Sequence, residues 1–249
     1  MKRLLLVLGL LAVLAGPAAS ATKTTPKITV YAASSLTDVF PAIAPNETYS
    51  FGGSNTLATQ IKNGAPADVF ASANMTIPTT LNQQGYCSKP IVFTRNTLVV
   101  VVPKSNPGHV KNIYSLTKKG VTVDVAATGV PVGTYTQQIL NNMNIAAAVN
   151  ANIVSKDPDV RTVLAHVTLG EVDAGFVYST DAKTVPGEVK VIKIPAWAQP
   201  KVQYGICVVS KSSNVDAARA FIKLVLSKKG QAKLLAYGFL PRVKPKPKK

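Results

Sequence analysis

From residue 27 to about residue 240, short β-branched apolar runs alternate with stretches whose apolar residues recur at helical spacing. Few folds accept such a chain. KITVYAASS (27–35) reads as a strand, and LTDVFPAIA follows with Leu36, Val39, Phe40 and Ile43 on one helical face. TYSFGGS leads into NTLATQIKNG, VTVDVAA into GVPVGTYTQQILNNM, and NIVSKDP into DVRTVLAHVTLGE, each repeating strand, tight turn, helix. RNTLVVVVP (95–103) is apolar without alternation, as expected of a strand covered on both faces. DAGFVYS, VKVIKIP and KVQYGICVVSK supply further strands, and a long helical pattern from Val215 closes the series. Alternation of this kind predicts an α/β architecture with mostly parallel sheets.

Ahead of this region, Lys2 and Arg3 precede an apolar run from Leu4 to Leu14 and a small-residue Ala19-Ser20-Ala21 site. That is the pattern of a secretory signal peptide, assigned to residues 1–21, the run being short for a bilayer span; an uncleaved anchor is the alternative. Export sets how the rest is read. The net charge of +17 would otherwise suggest nucleic acid; in an exported chain it reads as a solvated face that also attracts anions or the acidic envelope. KPKPKK (244–249) reads as a flexible basic tail. Cys87 and Cys207 are free to pair outside the cytoplasm, and a disulfide is expected ahead of two buried thiols. Neither has a metal-ligand partner at suitable spacing.

Four strand-to-helix corners share one chemistry. AASSLT, FGGSNT, VPVGTY and SKDPDVR each enter a helix through Ser, Gly, Pro or Asp. Simple capping explains any one of them. Helix N-termini also present unpaired N–H groups and a positive dipole end, so several converging on one point would hold an anion without a charged side chain.

At these corners the sequence resembles the ModA-type periplasmic molybdate-binding proteins. The resemblance runs through AASSLT, GAPADVFASA, VPVGTYTQQIL, GFVYSTDA and a late YGF, spanning residues 27 to 240. It implies a two-lobed type II periplasmic-binding-protein fold, each lobe a mainly parallel sheet flanked by helices, with ligand in the interlobe cleft. By that resemblance residues 27–103 plus 203–243 form the first lobe and 104–202 the second, with RNTLVVVVP and KVQYGICVV as crossing strands. It further implies that Ser35 and Ser54 meet the oxyanion with hydroxyl and backbone N–H, Val132 and Val160 with backbone N–H, and Tyr178 with its phenol. The second corner departs from the family, which is richer in Ser where this chain has Gly53 and Asn55.

The function so implied is capture of molybdate, and of tungstate, for delivery to the membrane permease of an ABC importer. The protein would act as a monomer in the periplasm or on the outer face of the cytoplasmic membrane, with no cofactor, no catalysis and no nucleic acid, molybdenum being held only as the oxyanion. A fully ionised tetrahedral dianion offers acceptors alone, so a cage of neutral donors suits it and rewards one size and shape. Taken without the resemblance, Tyr178 reads as a core aromatic. Asp157 and Asp159 read as helix caps, since a carboxylate facing an oxyanion repels it; the alternative is that one of them adds to the coordination. His109 and His166 read as packing or surface residues, and Trp197 as packed near a turn. Sulfate, phosphate or an organic acid would suit the same chemistry, and a role at the envelope through the basic tail is a further alternative. A hydrolase reading lacks any G-x-S-x-G or nucleophile–base pair.

Overall fold

A computed structural model describes residues 26–242. The leader at 1–21 and the tail at 244–249 lie outside the described residues. The first unit opens with β1 (Thr29–Ala33), α1 (Val39–Ile43), β2 (Thr48–Gly52), α2 (Ser54–Lys62), β3 (Val69–Ser72), α3 (Thr76–Gln83) and β4 (Ile91–Asn96). The chain then builds β5 (Leu98–Pro103), β6 (Val123–Ala126), α4 (Pro131–Asn142), α5 (Ala146–Asn150), β7 (Ile153–Asp157), α6 (Val160–Leu169), β8 (Ala174–Tyr178), α7 (Ser179–Ala182) and β9 (Val189–Lys193). It returns through β10 (Val202–Val208), α8 (Val215–Leu226) and α9 (Lys228–Ala236). No helix among the described residues is long and apolar enough to cross a membrane.

Two five-stranded sheets result, ordered β2-β1-β3-β10-β4 and β7-β6-β8-β5-β9. The expectation of mainly parallel sheets needs amendment. Strands linked through helices are parallel: β1 with β2 and β3, and β6 with β7 and β8. The strands beside the crossings, β10 and β5, pair antiparallel with both of their neighbours. A chain that passes directly from one sheet to the other has no helical crossover to reverse its direction, and parallel pairing requires one.

The crossing also falls earlier than expected. Leu98–Pro103, assigned from sequence to the first lobe, pairs with β8 and β9 of the second sheet, so the chain changes sheets at Thr97. RNTLVVVVP is thus two strands, not one. The continuous apolarity of β5 matches its surroundings, for all six of its residues are buried.

Packing follows the helical spacing seen in the sequence. Phe40 meets Phe93 at 5.8 Å and Phe221 edge-on at 5.5 Å, packing α1 against α8 and β4 in the first sheet's core. On α8 the buried residues Ala217, Ala218, Phe221, Ile222 and Val225 form one stripe. The other face of that sheet covers a smaller cluster containing Cys87 and Cys207. Contrary to expectation these two are free, buried thiols. Cys87 Sγ donates to the Pro78 carbonyl at 3.5 Å, while hydrogen bonding with Cys87 and burial push the Cys207 thiol far up, so Cys207 remains protonated. Trp197, expected to pack, is 64% exposed on a short 3₁₀ turn at Ala196–Ala198.

Candidate oxyanion site

The corners singled out in the sequence lie at strand ends that face one another. The carboxyl ends of β1 and β2 deliver Ser34, Ser35, Gly53 and Ser54; the N-termini of α4 and α6 deliver Val132 and Val160; β8 ends on Tyr178. All five expected residues, Ser35, Ser54, Val132, Val160 and Tyr178, line one small cavity, together with Gly52, Gly53, Ala73, Pro131 and Asp159. Neither Lys nor Arg is among the lining residues. Ligands in open α/β sheets sit outside the carboxyl ends of strands, and this cavity has that position.

Each contributor is held for a local reason. Pro131 occupies the first position of α4, where its missing N–H costs nothing, and Val132 follows with an N–H that has no intrahelical acceptor. On α6 the Asp159 side chain accepts from Arg161 N at 2.7 Å and Thr162 N at 3.3 Å. The cap therefore consumes the second and third amides and leaves that of Val160, the first, facing the cavity. Asp159 is the cap expected of it. Asp157 instead turns toward His166 and does not line the cavity, whereas Asp159 lines it with its carboxylate engaged as the cap. At its far end α6 stops on Gly170, whose φ of 75° a residue with a side chain adopts only under strain.

The hydroxyls differ in what they already do. Ser35 Oγ shares a 2.9 Å hydrogen bond with the Tyr204 hydroxyl. Ser54 Oγ accepts from Ala73 N at 3.1 Å, which leaves its own proton free to donate. Tyr178 is 1% exposed, and its hydroxyl has no partner. Burial, then the neighbouring Tyr204, pushes its pKa well above the ordinary phenol value, so the group stays a neutral donor. A buried hydroxyl without a partner forfeits roughly 1–3 kcal/mol, which an oxyanion acceptor would restore.

Sequence reasoning missed the shell behind these groups. Tyr204, fully buried on β10, also lies 3.4 Å from Asn96 Nδ2, and Asn96 bonds Thr180 and Ser179 across the crossing. Arg161 joins the two units outright: its Nε donates to Asp181 at 2.8 Å and its Nη2 to Asp38 of the first unit. Burial depresses the Arg161 pKa, but Asp181 and Asp38 outweigh it and hold the guanidinium above its usual value. A lone Arg in a helix gives no signal of such a partner. Gly53 marks the close approach of the units, for a Cβ there would lie 2.3 Å from the Pro158 carbonyl oxygen. Near it, Asn55 Oδ1 is buried without a partner.

Comparisons with known proteins place the chain in a family. Residues 28–240 match the family of bacterial extracellular solute-binding proteins. The chain is 34% identical over 222 residues to the molybdate-binding protein ModA of Mycobacterium tuberculosis, covering 85% of this chain and 84% of that one. The solved periplasmic molybdate-binding protein of Azotobacter vinelandii superposes with a TM-score of 0.76 at 22% identity, covering 88% of this chain and all of its own. The sulfate-binding protein SubI of M. tuberculosis superposes with a TM-score of 0.72 at 18% identity, covering 86% of each chain. At such identities the likeness is one of fold, and one fold serving two oxyanions cannot choose between them.

Proposed function

This chain belongs to the ModA-type proteins within the bacterial extracellular solute-binding family, and from that premise we propose that it captures molybdate, and tungstate in the same cage, for the permease of an ABC importer. The observation that carries the reading is the unpartnered Tyr178 hydroxyl aimed into a cavity lined by four helix or turn entries and by no Lys or Arg. Ser35 and Ser54 supply hydroxyl and backbone N–H, Val132 and Val160 backbone N–H, and Tyr178 its phenol. Each of these groups is neutral and has a proton to donate, matched to a ligand that is an acceptor only.

The two sheet units serve as the two lobes. Ser35 and Ser54 come from the first, Val132, Val160 and Tyr178 from the second, so one bound oxyanion gains its full donor set only when the lobes close. Arg161 helps hold that closed arrangement through Asp38. The protein works as an exported monomer, at the periplasmic or outer face of the membrane, and performs no chemistry on its ligand. It has no use for nucleic acid.

Thermal melting with molybdate, tungstate, sulfate and phosphate tests the reading. A ligand at 100 times its Kd adds about 2.7 kcal/mol, or about 5 to 10 °C for a chain of this size. Molybdate and tungstate are expected to give that shift at micromolar concentration, sulfate and phosphate far less. Equal shifts with all four, or none with molybdate, would overturn the assignment.

A further inference from the structure

The second sheet holds a side-chain cluster that oxyanion capture does not use. Asp124 lies on β6, Asp157 ends β7, and His166 sits on α6. Asp124 Oδ2 is 2.7 Å and Asp157 Oδ2 3.0 Å from the same ring nitrogen, His166 Nδ1. That nitrogen carries at most one proton, and its hydrogen bond goes to Asp124. Asp124 Oδ1 and Asp157 Oδ2 are left buried with no donor, on residues only 0% and 5% exposed. Two buried carboxylates thus face a single imidazole, an arrangement short of positive charge and of donors.

We infer that Asp124, Asp157 and His166 form a binding site for a divalent first-row transition cation of the zinc type. One ligand atom from each residue lies within 4.8 Å of the others. A tetrahedral cation with bonds of about 2.0–2.2 Å sets its ligand atoms about 3.3 Å apart, so the two carboxylate oxygens, at 2.7 and 3.0 Å from His166 Nδ1, move out from it by about half an ångström to admit one, with water as the fourth ligand. Two carboxylates and a neutral imidazole cancel the double charge. The mixed oxygen and nitrogen set favours such a cation over magnesium or calcium, which take oxygen alone.

The surroundings suit the role. Ser155 Oγ donates to Asp157 Oδ1 at 2.8 Å and fixes that carboxylate. His166 Nε2 lies 3.8 Å from Glu171 Oε2, an exposed carboxylate placed to orient the ring from its far side. The His166 side chain is 29% exposed, which leaves a way in from solvent. A bound cation would tie β6, β7 and α6 together just behind Val160, the residue that opens α6 onto the cavity.

Chelator-treated protein is melted with Zn²⁺ in oxyanion-free buffer and titrated with Co²⁺ for visible absorption. The expected result is one cation per chain, a melting rise of about 5 to 10 °C at 100 times Kd, and the strong Co²⁺ bands of a four-coordinate site. His166→Gln and Asp157→Asn should each remove the shift, while His109→Gln, at the other histidine, keeps it. No shift with Zn²⁺, Co²⁺ or Mn²⁺ overturns the inference, as does a shift that survives His166→Gln or vanishes in His109→Gln. The Co²⁺ spectrum of the unaltered protein decides the matter even if a variant fails to fold. Molybdate melting, read in parallel, stands or falls separately.

Discussion

Replacing Tyr178 by Phe removes one oxygen from the cavity wall and should move stability and affinity in opposite directions. In the free protein the hydroxyl is buried with no partner. An unsatisfied buried donor costs roughly 1–3 kcal/mol, so Phe, which keeps the ring's packing against Tyr204 at 5.6 Å, should leave the melting temperature unchanged or raise it by a few degrees. In the complex the same hydroxyl would donate to a charged oxygen, and a hydrogen bond to a charged group is worth about 1.5–3 kcal/mol. At 1.4 kcal/mol per tenfold, Kd for molybdate should rise roughly 10- to 150-fold. Calorimetric titration reads the affinity and a thermal melt the stability, on the same preparation. A Kd within twofold of the parent would refute the placement of the phenol on the ligand. A drop in melting temperature of more than about 5 °C would show instead that the hydroxyl is a structural donor.

Three other outcomes follow from the contacts between the units. Gly53→Ala sets a Cβ against the Pro158 carbonyl, so each unit should still fold while molybdate binding weakens at least tenfold, as read by titration beside a circular dichroism melt. Arg161→Met strands Asp181, which is fully buried, and should cost roughly 3 kcal/mol in urea unfolding; Asp38→Asn, at a side chain 43% exposed, should cost less than about 1 kcal/mol. Asp181 also gives a pH signature: burial, only partly offset by Arg161, raises its pKa to about 6 from near 4 when unfolded. The folded form therefore holds this proton more tightly, and the contribution is full below about pH 4 and lost as pH rises through 6. Asp181→Asn lacks that loss, so its stability relative to the parent should increase between pH 4 and 7; a constant difference would refute the raised value.

Most secondary structure was legible because it depends on local periodicity and turn chemistry. Helical spacing marked α8, and Pro131 and Asp159 marked where α4 and α6 begin. The corners were legible for the same reason, since capping residues announce a helix start wherever it lies in space. Sequence could not tell whether four such starts point at one place. Nor could it divide RNTLVVVVP, because no Gly or Pro interrupts the chain at Asn96 and Thr97 and the change of sheet is decided by which neighbours pair with Val99 and Val101.

By itself, then, the sequence determined the strand-and-helix alternation, the capped entries and, through the family's motifs, the five residues expected at the ligand. The tertiary structure alone decided that those five line one cavity, that Tyr178 enters it unpartnered, that Arg161 spans both units, and that Asp124, Asp157 and His166 meet. The physical reason is range. Propensity and capping act within a few residues, whereas a cavity, an ion pair across Asp38 and Arg161, or a carboxylate left without a donor exists only once residues more than a hundred positions apart, or on separate strands, are packed together.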